Sequence, residues 1–239
     1  MNLQPVFDIA EICARKGIKK AIICPGSRNA PLTLAFARHP KIECFSVPDE
    51  RSAGFIGMGM ALKSNSPVVL ICTSGSAAYN FAPAVAEAFF SQTPLIVLTA
   101  DRPIEWIGQL DGQTIFQDNI FGRHVKASTN FPTEYNLEES IWHCHRLVNE
   151  FCNKAVEYPA GPVHINVPMR EPFYPEKDEK ISYSSEIKIT NLEFFNSNFS
   201  EFHNENLYDF KRVLIVAGQD KLDLELAKLL SEISENFHI

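Results

Sequence analysis

Two runs, Pro67-Val-Val-Leu-Ile-Cys-Thr73 and Pro94-Leu-Ile-Val-Leu-Thr-Ala100, decide the fold. Each is short, apolar at nearly every position, and closed by a polar turn: Ser74-Gly-Ser76 after the first, Asp101-Arg-Pro103 after the second. A strand with one wet face alternates apolar and polar residues. A run without alternation needs cover on both faces, as in a parallel sheet sandwiched between helices. Parallel neighbours need a crossover, and Ala77 to about Ser91 reads as that helix.

The same pattern extends outward. Lys20-Ala-Ile-Ile-Cys24 and Ile42 to Val47 read as two earlier buried strands, and Pro162-Val-His-Ile-Asn-Val167 as a later one. Leu3 to Lys16 puts Leu3, Val6, Phe7, Ile9, Ala10, Ile12 and Cys13 on one broad face before Gly17 stops the helix. A short helix follows from Thr33 to Arg38, and an Ala/Gly/Met-rich helix runs from Pro48-Asp-Glu-Arg51 to about Ser64. Beyond Arg102, a polar stretch to about Asn119 carries no assignable element. A long helix is expected from Leu137 to about Glu157, with Asn136 as cap and Glu139 completing a capping box.

The expected fold class is therefore α/β: a doubly wound, mainly parallel sheet with helices on both faces, over residues 1–172. Residues 173–210 have a linker-like texture. Arg212-Val-Leu-Ile-Val-Ala-Gly218 and a helix from about Leu222 form one strand–helix unit over residues 211–239. A lone unit cannot bury both faces of a sheet, so it reads as the start of a second, truncated α/β domain.

Composition narrows the function. The chain has 239 residues and is 45% hydrophobic, enough for a sizeable core. Its 22 Lys and Arg against 29 Asp and Glu give a net charge of −7, which argues against a nucleic-acid partner. No apolar run approaches the ~18–20 residues of a membrane span, and the N-terminus lacks a basic-then-apolar signal layout. The six cysteines stand singly inside apolar segments with no CxxC pair, as expected of reduced thiols in a cytoplasmic protein.

In a doubly wound sheet, ligands bind beyond the carboxyl ends of the strands. Four loops therefore matter: Pro25–Pro31, Pro48–Arg51, Thr73–Ala77 and Asp101–Asp118. In the first, Gly26 permits a tight turn, Ser27 offers a hydroxyl, and Arg28 a planar donor fork suited to a carboxylate. The same residues also suit an ordinary turn with Ser27 as helix cap, and the loop alone does not choose. Glu50 opens a helix rich in small residues (Ala53, Gly54, Gly57, Gly59, Ala61), which allow a backbone or flat ligand to approach closely. Burial there raises a carboxyl pKa while the helix N-terminus favours the anion. A surface helix-start glutamate is the commoner use of the residue.

Arg102 is expected to reach into the same region or to form a salt bridge, and Gln113 and Gln117 to orient a polar substrate or merely solvate the surface. His143-Cys144-His145 has the look of a metal motif, but neighbours two apart on a helix point away from each other. His164, inside an apolar strand, reads as a satisfied core histidine.

Cys24-Pro-Gly-Ser-Arg28, Pro48-Asp-Glu-Arg-Ser-Ala-Gly-Phe55, Cys72-Thr-Ser-Gly-Ser-Ala77 and Leu98-Thr-Ala-Asp-Arg-Pro-Ile-Glu105 occur in the order and spacing of the thiamine-diphosphate enzymes. The chain resembles that family over about Met1 to Pro172, above all the branch that serves menaquinone synthesis. The resemblance implies three α/β domains, of which this chain holds the pyrimidine-binding one and the beginning of the central one. The diphosphate-binding domain, with its Mg2+ motif, is expected outside these residues, so the chain alone is expected to be inactive. The family's activating glutamate falls on Glu50, whose protonated carboxyl hydrogen-bonds the aminopyrimidine ring and favours its imino tautomer.

By the same resemblance, Ser27, Arg28, Arg102 and Gln113 line the substrate side, and Pro25, Gly26, Ser76 and Asn80 lie near the pyrimidine. Gly112 departs from the residue common before that glutamine. The implied substrates are 2-oxoglutarate, which is decarboxylated, and isochorismate, which accepts the remaining fragment. The implied assembly is a homodimer or homotetramer. Two other readings stay open: the pyrimidine-binding chain of another thiamine-diphosphate decarboxylase or acetolactate synthase-like enzyme, and a non-catalytic module that binds a small anion.

Overall fold

Residues on each central strand alternate between two apolar layers, which is why no polar face was visible in the sequence. A computed structural model describes residues 3–171, 173–174, 181–191, 214 and 223–236. The chain divides into two units, Met1–Leu192 and Glu193–Ile239.

The first unit is built on strands β1 (Lys20–Ile23), β2 (Glu43–Ser46), β3 (Val68–Cys72), β4 (Leu95–Asp101), β5 (Ser128–Asn130) and β6 (Val163–Pro168). They form one sheet in the order β2-β1-β3-β4-β6-β5, with every pairing parallel. One face is covered by α1 (Gln4–Arg15), α2 (Ala30–Ala37) and α6 (Glu138–Val156); the other by α3 (Glu50–Ser64), α4 (Ser76–Asn80) and α5 (Ala82–Phe90). Val69, Ile71, Ile96 and Leu98 pack under the first group, and Val68, Leu70, Leu95 and Val97 under the second. This is the doubly wound arrangement expected.

Several local expectations need correction. Strand β2 lies at the sheet edge and is only partly buried, because β1 is its sole strand neighbour. The helix expected from Ala77 breaks at Phe81, where Pro83 cannot donate a hydrogen bond and restarts the chain as α5. Helix α6 begins at Glu138 with Leu137 at its N-cap and no side-chain cap, so the Asn136–Glu139 capping box does not form. Strand β5 was not anticipated; its three residues, Ser-Thr-Asn, carry no apolar signal, and only pairing with β6 makes them a strand.

The small residues of α3 have a packing reason. A side chain at Gly54 would meet Ala84 of α5, and one at Gly57 would meet Leu70 of β3. These glycines seat α3 against its neighbours.

Residues 181–191, read from sequence as part of a linker, belong to the first unit and pack on its helices. Ile187 is buried in the α1/α2/α6 layer. Side chains from the helices hold its backbone: Arg15 and Lys16 donate to the Ile187 and Thr190 carbonyls, and Asn149 binds both Lys188 O and Thr190 N. Asp8, fully buried, accepts from Gln4, His145 and the Ser184 amide. His145 is thus the partner of a buried acid, at 2.9 Å.

In the second unit, α7 (Leu224–Asn236) is capped by Asp223, whose carboxylate accepts the Glu225 and Leu226 amides at 2.9 and 3.0 Å. The strand expected at Arg212–Gly218 falls outside the described residues apart from Leu214. Among the described residues no helix is long and apolar enough to cross a membrane.

Candidate functional site

The strand order fixes where the loops lie. Chain direction along the sheet reverses between β1 and β3, and a doubly wound sheet binds its ligand at that switch point. From one side to the other, the carboxyl edge presents Glu50 after β2, Pro25–Arg28 after β1, Ser74–Ser76 after β3, Arg102 after β4, and Met169–Arg170 after β6. Adjacent strands stand ~4.8 Å apart, so the ends of β2 and β4 lie about three spacings, roughly 14 Å, from each other.

The loops on either side of the switch point touch. A Cβ on Gly26 would lie 2.5 Å from Cβ of Thr73, so only glycine permits this approach. Asn29 closes the same loop by donating to the Cys24 carbonyl at 2.8 Å. Asn29 also stands at the N-cap of α2, while Ser27 is exposed, so Ser27 is not that helix's cap. Pro25 is exposed beside it.

Glu50 is half-buried, the first residue of α3, directly after Asp49, whose carboxylate caps the helix through the Ser52 amide at 2.7 Å. The Glu50 carboxyl makes no hydrogen bond or ion pair among the described residues. Burial, with the charges of Glu50 and Asp49 adding to it, pushes Cys24 up to about 12, and burial, with Cys24 and then Glu50 adding to it, raises Cys72 well above the ordinary thiol range. Ser76 and Asn80, one turn apart on α4, are both exposed, and Asn80 donates to the Ser76 carbonyl at 3.2 Å.

The arginines gather in a neighbouring cleft of about 390 Å³, lined by Arg28, Arg102 and Arg170 with Asp111, Glu171, Trp106, Pro103 and Met169. Arg102 is held on three sides: it pairs with Asp111 and donates to Ser74 Oγ and to the Gln113 carbonyl, both at 2.9 Å. Arg170 pairs with Glu134 at 2.7 Å and with Glu105. Arg28 forms no ion pair with a carboxylate among the described residues. It donates to the Met169 carbonyl at 3.3 Å and lies 4.7 Å above the Phe173 ring. Burial, then the like charge of Arg102, lowers its pKa, although an arginine stays charged.

Gln113 takes part differently from the expectation. Its side chain is exposed, and its backbone, at a φ of 57°, supplies the carbonyl that receives both Arg102 and Ser74 Oγ. Gln117 is the buried one. Its Oε1 accepts the Gly75 amide at 2.8 Å, and its Nε2 donates to Ala100 O at 3.1 Å and Asn166 Oδ1 at 2.9 Å.

Sequence reading missed three contributors. Arg170 follows β6 at the same edge of the sheet, and the strand-end rule would have found it had that loop been counted with the others. Asp101 is buried; its carboxylate accepts the Arg102 amide at 2.7 Å and Asn166 Nδ2 at 2.8 Å, and burial raises its pKa against those hydrogen bonds. Asn166, within β6, donates to Asp101 at 2.8 Å and accepts from Gln117 and Thr99, each at 2.9 Å. His164 is the satisfied core histidine expected, between Thr99 Oγ1 at 2.8 Å and Ser128 Oγ at 2.9 Å, with its pKa pushed down to about 3 by burial.

The first unit is thus a doubly wound domain whose strand-end loops carry a half-buried acid and an arginine-lined cleft. A family profile described as "Thiamine pyrophosphate enzyme, N-terminal TPP binding domain" matches residues 6–125, and the chain belongs to that family. Three curated relatives are each named 2-succinyl-5-enolpyruvyl-6-hydroxy-3-cyclohexene-1-carboxylate synthase. The one from Cytophaga hutchinsonii is 44% identical over 246 residues, covering 99% of this chain and 44% of that protein. The one from Phocaeicola vulgatus is 42% identical, covering 91% of this chain and 39% of that protein. The one from Flavobacterium johnsoniae is 48% identical, covering 78% of this chain and 32% of that protein. The chain thus spans less than half the length of these relatives.

The residues present fit the pyrimidine end of thiamine diphosphate. A half-buried carboxyl without a protein partner is what a ring nitrogen would complete. Among the described residues no three metal-ligating side chains converge.

Proposed function

We propose that this chain is the pyrimidine-facing part of a synthase that decarboxylates 2-oxoglutarate and joins the remaining four-carbon unit to isochorismate. The observation that carries this reading is the juxtaposition on one sheet edge of the unpartnered Glu50 carboxyl with a cleft holding Arg28, Arg102 and Arg170. Both substrates carry two carboxylates, and planar guanidinium forks suit them.

Thiamine diphosphate, when bound, supplies the carbon nucleophile for the 2-oxo acid and a sink for the electrons released with carbon dioxide. The chain's own residues prepare that chemistry. Glu50 shares a proton with a pyrimidine nitrogen, which orients the ring and shifts its amino group toward the basic form. Pro25, Gly26, Ser76 and Asn80 would lie beside the ring, the exposed Ser76 and Asn80 offering polar contacts. Arg28, with no carboxylate partner, binds a substrate carboxylate; Arg102, locked in place by Asp111, Ser74 and Gln113, sets its register, and Ser27 lies at the mouth. Mg2+ and the diphosphate are held by a domain outside these residues. That domain comes from a second subunit in a homodimer or homotetramer; the exposed Phe55 and Ile56 on α3, just past Glu50, support such cover. The site is assigned to the cytoplasm.

The test is to assay the complete gene product with thiamine diphosphate, Mg2+, 2-oxoglutarate and isochorismate, following carbon dioxide release and product mass. Formation of the joined product supports the reading. Cofactor binding with turnover of pyruvate but not 2-oxoglutarate would assign the chain to another branch of the family, and absence of cofactor binding would leave only the anion-binding module.

A further inference from the structure

The cofactor side and the substrate side of the site are built on different loops, yet one buried side chain joins them. Gln117 is fully buried and its amide is fully engaged. On one side it receives the amide of Gly75, at the head of α4 and next to Ser76. On the other it grips Ala100 and Asn166, and Asn166 in turn holds Asp101, which holds the backbone of Arg102. Thr99 donates to the same Asn166 oxygen at 2.9 Å and fixes its amide orientation. The turn it supports tolerates little else: Gly75 has a φ of 83°, and a Cβ there would meet the Gln113 carbonyl oxygen at 2.9 Å.

We propose that Gln117 is a positioning residue that locks the Gly75–Ser76 turn to the Asp101–Arg102 strand end, so that the cofactor-facing and substrate-facing loops are set as one unit. This rests on the function proposed above and deepens it. Only glutamine meets the demands of this position, where one oxygen must accept from Gly75 while one nitrogen donates to two oxygens. Glutamate has the shape but, when ionised, no donor; asparagine has both groups but is one methylene short.

The experiment uses the complete gene product with Gln117→Glu and Gln117→Asn. Gln117→Glu at pH 8 is expected to raise both the Kd for thiamine diphosphate and the KM for 2-oxoglutarate by on the order of tenfold, as when a buried hydrogen-bonding group loses its partner. Relative to the native protein at the same pH, the loss should shrink at pH 6, because a protonated carboxyl regains a donor. Gln117→Asn should show a similar loss without that pH dependence. In the apo protein, amide exchange of the peptide containing Gly75 should quicken in both variants. A merely structural role would lower the thermal midpoint yet leave Kd, KM and the pH profile unchanged well below it. That result, or native-like exchange at Gly75, overturns the proposal; if Gln117→Glu does not fold, Gln117→Asn decides alone. A native protein that binds no thiamine diphosphate refutes the underlying function instead, and the exchange measurement still judges the lock.

Discussion

The guanidinium of Arg28 lies 4.7 Å above the ring of Phe173, and its only hydrogen bond to the described residues runs to the Met169 carbonyl at 3.3 Å. The ring and carbonyl hold the fork in place without neutralising it. Arg28 is therefore the cation of the cleft whose charge is open to a substrate. Arg28→Ala in the complete gene product should raise KM for an anionic substrate about tenfold to a hundredfold, with a smaller change in kcat, as for loss of one charge-assisted hydrogen bond. Arg28→Lys should recover only part, since an ammonium keeps the charge but loses the planar stack. Steady-state kinetics with each substrate checks this; unchanged KM values remove Arg28 from the site.

On the proposed function Glu50 has a different role, and its substitution should leave a different signature. Glu50→Gln keeps shape and hydrogen-bonding capacity but cannot share a proton. Turnover should fall by roughly 10² to 10⁴, while thiamine diphosphate binds within a few-fold of native affinity. Calorimetric binding and single-turnover rates separate the two effects. Near-native turnover would contradict the assignment.

Two glycines should respond in opposite directions to alanine. At Gly26 the added carbon meets Thr73 at 2.5 to 2.9 Å, a crowded contact expected to cost about 1–3 kcal/mol. At Gly59, inside α3 and with nothing within 4 Å of the added carbon, alanine should stabilise by about 0.5–1 kcal/mol. Denaturant titration of the two variants gives the sign directly. Equal effects would mean that the β1 and β3 loops do not meet as described.

His164 makes stability depend on pH. Its folded-state pKa, about 3, lies below the ~6.5 of an unfolded histidine, so below pH 6.5 the unfolded chain takes up a proton that the folded one refuses. Stability from this group is thus complete above about pH 6.5 and declines as pH falls toward 3, at up to about 1.4 kcal/mol per pH unit. Between pH 6.5 and 5, before the carboxylates titrate, His164→Gln should flatten that slope. An unchanged slope would show that His164 does not stay neutral in its Thr99–Ser128 setting.

Much of this architecture was legible in the chain because its signals are local. Uninterrupted apolar runs such as Val68–Cys72 and Leu95–Ala100 demand cover on both faces whatever surrounds them. Glycine, proline and polar residues at the run ends marked the loops that the sheet brings together. Strand β5 was not legible because Ser128-Thr-Asn130 becomes a strand only by pairing with β6. The role of Gln117 was equally hidden: its three partners lie 17, 42 and 49 residues away in the chain.

By itself the sequence determined the α/β class, the strand ends as the place for chemistry, and Glu50, Arg28 and Arg102 as candidates. Those follow from periodicity, from residue chemistry and from a resemblance carried by contiguous motifs. Tertiary structure alone decided which of these residues are spoken for. Among the described residues Arg102 is paired and Arg28 is not; the carbonyl of Gln113 serves where its side chain was expected; Gln117 is buried between loops where a surface glutamine was an equal possibility. The physical reason is that hydrogen-bond satisfaction and burial belong to pairs of groups, and the pairs that build this site come from loops the sheet order alone makes neighbours.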